Sequence, residues 1–474
     1  MARLLQKGVL THLLVIALYA VLSLILTYPL ITHFNTHVMG TDIWAFDEYT
    51  FIWNMWWFKH STLDLHSNPL YSSHIFYPLG ISLVLYTYNL FNALTSLPLQ
   101  AFLGLPTIAN LLNIFALTFS GYGTYLLLRY LLASDDAEAR ETTLAPTAAA
   151  FIGGLVYAFG SFHFVYAALG HYDMVGTQWI PFYTLFMVKT VREPGWRNPI
   201  LAGVFASLAL LGEMIFGVFL AFLTIIVAGF AGRRRVLNLE FGKRFGLILV
   251  TVLVTYFWVG IPILGEFLNT EYALEGWGHS ERLLVDLFGF TKPTALHPLF
   301  GTDWTEELTM VREGTARFVD VNTVFLGWVV LIMALWAAVR YWTRTKAWAV
   351  GALTSAVLAM GPLLHINGRS TFDLDGLLVN VPLPFIVLHY IPIVRANRVP
   401  NRFSAMLMLC LAVLVGFTAM AILRRFNRRD VLLGAGGLLA LLIVFEHLAV
   451  PMPLTEARVP DWYYSLAEEP GDFA

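Results

Sequence analysis

The chain has 474 residues, of which 58% are hydrophobic and 13% charged, with a mean hydropathy of +0.68. These values exclude an ordinary soluble domain and identify a polytopic membrane protein. A formal charge of -2 gives no sign of a nucleic-acid partner, and a single cysteine, Cys410 in an apolar run, excludes an intrachain disulfide.

A helix of roughly 17 to 25 apolar residues crosses a bilayer, and shorter ones serve when paired or tilted. In chain order, spans are expected at residues 9–31, 107–131, 147–165, 177–188, 199–211, 214–230, 245–267, 321–339, 348–364, 403–423 and 431–450. The expected fold class is therefore all-α, a polytopic bundle of about 11 transmembrane helices. The first run is too long for a cleaved signal peptide and has no evident small-residue cleavage site. Residues 83–103 are also apolar, but Asn89, Asn92, Gln100 and nearby prolines make them a juxtamembrane or re-entrant piece.

Charge sets the orientation, because cytoplasmic loops collect Lys and Arg. With the amino terminus inside, the inner loops hold 19 of the 29 basic residues, among them the run Arg233, Arg234, Arg235. The acids run the other way, 24 of 31 lying on or near the outer face. The outer side also carries the long segments 32–106, 268–320 and 365–402. The chain thus divides into a membrane domain, 1–450, and the start of an extracytoplasmic tail or further domain, 451–474. Loops this long usually carry function or structure of their own.

The first outer loop opens with Asp42, Asp47 and Glu48, followed by Trp53, Trp56 and Trp57 at the helical spacing i, i+3, i+4. The acids fit the positive end of a helix, and the indoles fit an anchor at the water–lipid border. Asp47 then sits where a lipid-borne substrate presents its headgroup.

The order of several short motifs resembles the membrane-embedded glycosyltransferases of the GT-C class. An inside amino terminus and a long acid-opened outer loop are followed by FYPLG at 76–80 and a span ending in YLLLRYLL. More narrowly the chain is similar to an uncharacterised bacterial group within that class. The motifs carrying this are WNxWW at 53–57, LGHxxxxxTQWIP at 169–181, HPLFG at 297–301 and RVPxRF at 398–403. The resemblance covers nearly the whole chain and implies a GT-C-like bundle with juxtamembrane helices in the first outer loop. It also implies inverting transfer of a sugar from a polyprenyl-phosphate donor to an acceptor on the outer side of the cell membrane.

In such enzymes the first-loop acid acts as base or positions the acceptor or a metal, which maps onto Asp47 with Glu48 and Asp42 beside it. A carboxylate can take the proton of an acceptor hydroxyl as the sugar–phosphate bond breaks. The tidy acid pair of metal-dependent members is missing, which leaves use of a divalent cation (Mg or Mn) open. His171 and Asp173 could supply a second-loop base or ligand, with Gln178 a further substrate contact. Arg395, Arg398 and Arg402 suit the departing lipid phosphate, since guanidinium forks bind phosphate oxygens bidentately. Glu275, His279, Glu281 and Arg282 could contact sugar hydroxyls beside Trp277. Glu213, between two short spans, calls for a partner or a place in the site. The competing readings are a non-catalytic GT-C-like subunit of a membrane complex and a lipid or solute transporter.

Overall fold

The structure, a computed structural model, describes residues 2–41, 43, 47–133, 144–269, 280–315, 321–322, 324–391, 394 and 398–469. It is mostly helical. The first half contains α1 (Ala2–Leu26), α2 (Asp47–Lys59), α3 (Leu90–Leu99), α4 (Leu105–Ala133), α5 (Leu144–Ala158), α6 (Ser161–Ala168), the single turn α7 (Tyr172–Val175), α8 (Trp179–Arg192) and α9 (Arg197–Gly212). The second half contains α10 (Phe216–Ala231), α11 (Arg233–Val236), α12 (Leu239–Asn269), α13 (Trp304–Arg312), α14 (Trp328–Arg340), α15 (Trp342–Ala359), α16 (Phe385–His389), α17 (Ser404–Leu423), α18 (Arg429–Glu446) and α19 (Asp461–Ala467).

Helix α17 is the centre of the bundle. Its sequence is apolar on every side, and a helix of that kind is stable only when covered all round. Nearly every residue from Ser404 to Met420 is buried, against α4, α5, α14, α15 and α18. Small residues set the close approach: Leu128 of α4 fills the space left at Gly153 of α5 and Gly416 of α17. By contrast α1 and α12 turn long apolar faces outward, with Leu10, Leu13 and Val21 on one and Leu253, Val254 and Phe257 on the other all exposed. Such faces suit lipid contact.

Among the described residues, five helical stretches are long and apolar enough to cross a membrane: Gly8–Leu26, Leu105–Ala133, Leu144–Ala168, Leu239–Glu266 and Pro400–Leu423. The other six expected spans are helices of 13 to 18 residues. The eighth starts later than hydropathy suggests, because Gly327, at φ +84, turns an extended segment into α14 only at Trp328. The expected span at 147–165 is interrupted after α5, and α6 begins at Ser161 with Gly160 extended at its N-cap.

Among the described residues, three small antiparallel sheets organise the loops. In the first loop β2 (Tyr71–Ser72) pairs with β3 (Ile81–Ser82) around the FYPLG turn. In the segment 365–402, β4 (Thr371–Leu374) and β5 (Leu377–Asn380) form a hairpin. Its turn is Asp375-Gly376, both at positive φ, the sequence such a tight turn selects. The sheet with most consequence for the site joins β1 (His37–Met39) to β6 (Leu454–Glu456), with Val38 opposite Thr455. The tail after α18 is thereby tied back onto the start of the first loop.

Candidate functional site

Helix α2 begins at Asp47, so the carboxylates of Asp47 and Glu48 lie in its first turn, where the helix dipole favours negative charge. The two adjacent side chains then part. Glu48 is fully buried, and its Oε1 accepts from Thr455 Oγ1 at 2.7 Å, which fastens α2 to β6. Asp47 stays partly exposed and its Oδ2 lies 3.1 Å from His171 Nε2.

That meeting depends on Gly170. Its φ of +75 is a backbone conformation that glycine adopts without cost, and a Cβ there would stand 2.8 Å from the backbone nitrogen of Glu48. Only a glycine lets the 169–171 turn press against the start of α2 and set His171 beside Asp47. From His171 the cluster continues inward. Nδ1 of the same ring is 3.9 Å from Asp173 Oδ1, and Asp173 Oδ2 is 3.9 Å from Nη2 of Arg402. Arg402 arrives from a 3-10 turn, Pro400–Phe403, immediately before α17. The Tyr166 hydroxyl stands beside its guanidinium and donates to Asn401 Oδ1 at 2.5 Å. The Glu213 carboxyl, in the connection between α9 and α10, faces Asp173 and Arg402.

Access is graded across this group. Asp47 is 29% exposed and His171 20%, against 18% for Arg402 and 1% for Asp173. Burial raises the Asp47 carboxyl above its usual range; the negative charge of Asp173 adds to that, while His171 and Arg402 oppose it. Burial lowers His171 against the pull of Asp173 and Asp47, which favours the neutral ring. Loss of solvent also pushes Glu213 up to about 7, helped by Asp173 and opposed by Arg402.

Several buried polar atoms here have no hydrogen-bond partner among the described residues: His171 Nδ1, both Asp173 oxygens, Arg402 Nε and Asn401 Nδ2. Buried polar groups are nearly always satisfied, so a concentration of orphans in four residues marks a place built to meet something else. Glu213 lines a narrow cleft whose walls come from the first loop, α3, α9 and α12, with Tyr88, Leu90, Leu210, Tyr256 and Val259 among them. The Tyr88 hydroxyl is buried and likewise without a partner among the described residues. No three His, Cys, Asp or Glu side chains among the described residues are arranged to hold a metal ion, and no residue is assigned as a metal ligand.

Of the residues singled out in the sequence, Asp47, His171, Asp173 and Arg402 come together. Glu48 does not join them; its carboxylate is packed between Gly40, Gly170 and Thr455, as a bolt between α2 and the tail. Arg398 is exposed, because the chain reaches Arg402 through a proline-led 3-10 turn and the two arginines do not share a helical face. Gln178 is buried just before α8; in the amide orientation that its neighbours select, it donates to Gly176 O and accepts from Trp179 Nε1. Arg282 is exposed. Asp42, Arg395 and His279 lie outside the described residues. The indole stripe is also placed differently from an interfacial anchor: Trp57 is buried and donates to Pro69 O at 3.1 Å, with Trp53 stacked on it. Trp56 stacks on His60, and His74 packs on both, so the tryptophans hold the first loop together. His297 of the HPLFG motif is a structural tie, accepting from Leu299 and Phe300 nitrogens at Nδ1 and donating from Nε2 to Phe445 O at 2.9 Å. Tyr166, Asn401 and Thr455 carried no sequence signal, since nothing in a lone Tyr, Asn or Thr marks it as facing a cluster.

No protein-family model matches this sequence, and no curated protein matches it.

Proposed function

We propose that the chain is an integral membrane glycosyltransferase that moves a sugar from a polyprenyl-phosphate donor to an acceptor hydroxyl at the outer face of the membrane. The observation that carries this reading is the convergence of Asp47, His171 and Arg402 from three separate loops onto one partly open, incompletely hydrogen-bonded cluster. Asp47 is the base. Its raised proton affinity makes it a better acceptor than a solvated carboxylate, and neutral His171, with Nε2 3.1 Å from Oδ2, holds the ring against that oxygen. The acceptor hydroxyl loses its proton to Asp47 as its oxygen bonds to the anomeric carbon, and the bond from that carbon to the phosphate oxygen breaks. One displacement inverts the anomeric centre. The negative charge stays on the departing lipid phosphate and is compensated by Arg402, whose guanidinium is shielded from bulk water and therefore acts strongly. The prenyl chain is assigned to the narrow cleft beside Glu213, which must widen to admit it. Eleven spans with the amino terminus inside belong to the same proposal and place the cluster on the outer side.

The test is transfer of label from a radiolabelled polyprenyl-phosphate sugar by the purified full chain, set against Asp47→Asn and Arg402→Lys. The reading expects both variants to lose transfer, the first without losing donor binding. Full transfer by Asp47→Asn would remove Asp47 as the base, and no transfer by the wild type would end the reading and favour the non-catalytic scaffold.

A further inference from the structure

Building on an anionic lipid headgroup at Arg402, we infer that Glu213 takes up a proton as the headgroup docks, exchanging its own charge for that of the ligand. The cluster holds one guanidinium among three carboxyls. Asp47 comes from α2, Asp173 from α7 and Glu213 from the end of α9. The other titratable groups facing it are neutral His171, Tyr166 of α6, Tyr256 of α12 and, from the first loop, Tyr88 in the cleft wall. Arg402 is thus already the shared counter-ion of the group before any ligand arrives. A phosphate bound to it withdraws that compensation and adds further negative charge, so one carboxyl must become neutral or the ligand is repelled.

Position decides which carboxyl changes. Asp47 is the most exposed of the three acids and lies 3.1 Å from His171 Nε2, so it can remain ionised. Glu213 lies between the Asp173 carboxyl and the apolar wall made by Leu210, Tyr256 and Val259. Its compensating contact from the backbone is a long one, Ile215 N to Oε1 at 3.4 Å. Solvent loss already holds it near neutrality, so a small added repulsion is enough to protonate it. Glu213 then serves as a positioning residue: its neutral form leaves the guanidinium free to turn fully to the phosphate.

The experiment is isothermal titration calorimetry of the full chain in detergent with a long-chain alkyl phosphate, at about pH 8, in two buffers of different ionisation enthalpy. The wild type is expected to take up roughly 0.5 to 1 proton more than Glu213→Gln per headgroup bound. A long-chain alkyl sulfate, which stays fully ionised at about pH 8, is titrated in parallel so that proton uptake by the ligand itself is separated from uptake by Glu213. Should Glu213→Gln not fold, Asp173→Asn serves instead, because removing the neighbouring charge lowers Glu213 and should shrink the uptake. Equal uptake in wild type and variant, with binding still weakened by Arg402→Lys, overturns the inference and leaves the headgroup reading standing. If the wild type binds no alkyl phosphate, both fall.

Discussion

Replacing Gly170 by alanine tests the contact on which the candidate site is built. At φ +75 an alanine costs about 1–2 kcal/mol in backbone strain alone. Its Cβ would also meet the Glu48 nitrogen at 2.8 Å, and backbone cannot swing aside as a side-chain tip can. Overpacking of this kind costs a further 1–3 kcal/mol or so. Relief requires α2 to move away by roughly half an ångström, which stretches the 3.1 Å contact between Asp47 and His171 past ordinary hydrogen-bond length. Gly314 supplies the control: its φ is +76 and nothing lies within 4 Å of a Cβ there, so Gly314→Ala carries the strain without the clash. Unfolding free energies of both variants, measured in mixed detergent micelles, should differ by about 1–3 kcal/mol, with Gly170→Ala the weaker. Equal losses would refute the close approach of the 169–171 turn to α2, and with it the reason given for the Asp47–His171 pair.

Asp47→Asn keeps size and polarity but cannot accept a proton, so turnover should fall by roughly 10²- to 10⁴-fold in the transfer assay, with donor affinity nearly unchanged. Because burial raises Asp47, the acid limb of the pH–rate profile should lie above the ordinary carboxylate range. Asp173→Asn removes a charge that raises Asp47 and should move that limb to lower pH, whereas Arg402→Gln removes one that lowers it and should move the limb up in whatever activity remains. Trp57→Ala should destabilise the protein by about 3–5 kcal/mol, read as a lower unfolding midpoint, since the ring is buried under Pro69 and is not a lipid anchor.

Hydropathy marked apolar stretches that are largely helical because apolar length is a local property, but among the described residues only five helical stretches, against eleven expected spans, are long and apolar enough to cross a membrane. Helix α14 has only 13 residues because the chain before Trp328 is extended up to Gly327, a backbone turn that no hydropathy window along the chain can register. The individual polar residues of the site were legible as types out of place: an acid after a span, a histidine in an outer turn, an arginine on the acidic side. Their meeting was not, because it depends on Gly170 and on a 3-10 turn that separates Arg402 from Arg398. Helical spacing wrongly paired those two arginines. The same rule spaced the tryptophans correctly along α2 but could not foresee that His60 and His74 would cover them. The tail offered no hint that Thr455 reaches back across the chain to Glu48, since pairing of a three-residue strand leaves almost no periodic signal. Glu213 raised the right question, and only the fold supplies its partners, Asp173 and Arg402.

The most direct measurement is a structure of the full chain with bound polyprenyl phosphate, read for the place of the phosphorus atom. The account predicts phosphate oxygens at about 2.7–2.9 Å from the Arg402 guanidinium, with the prenyl chain in the cleft beside Glu213 and Asp47 open to the acceptor side. A phosphate seated on exposed Arg398, or in the separate cavity between Asp286, Lys292 and Asn322, with Arg402 still turned to Asp173, would contradict it.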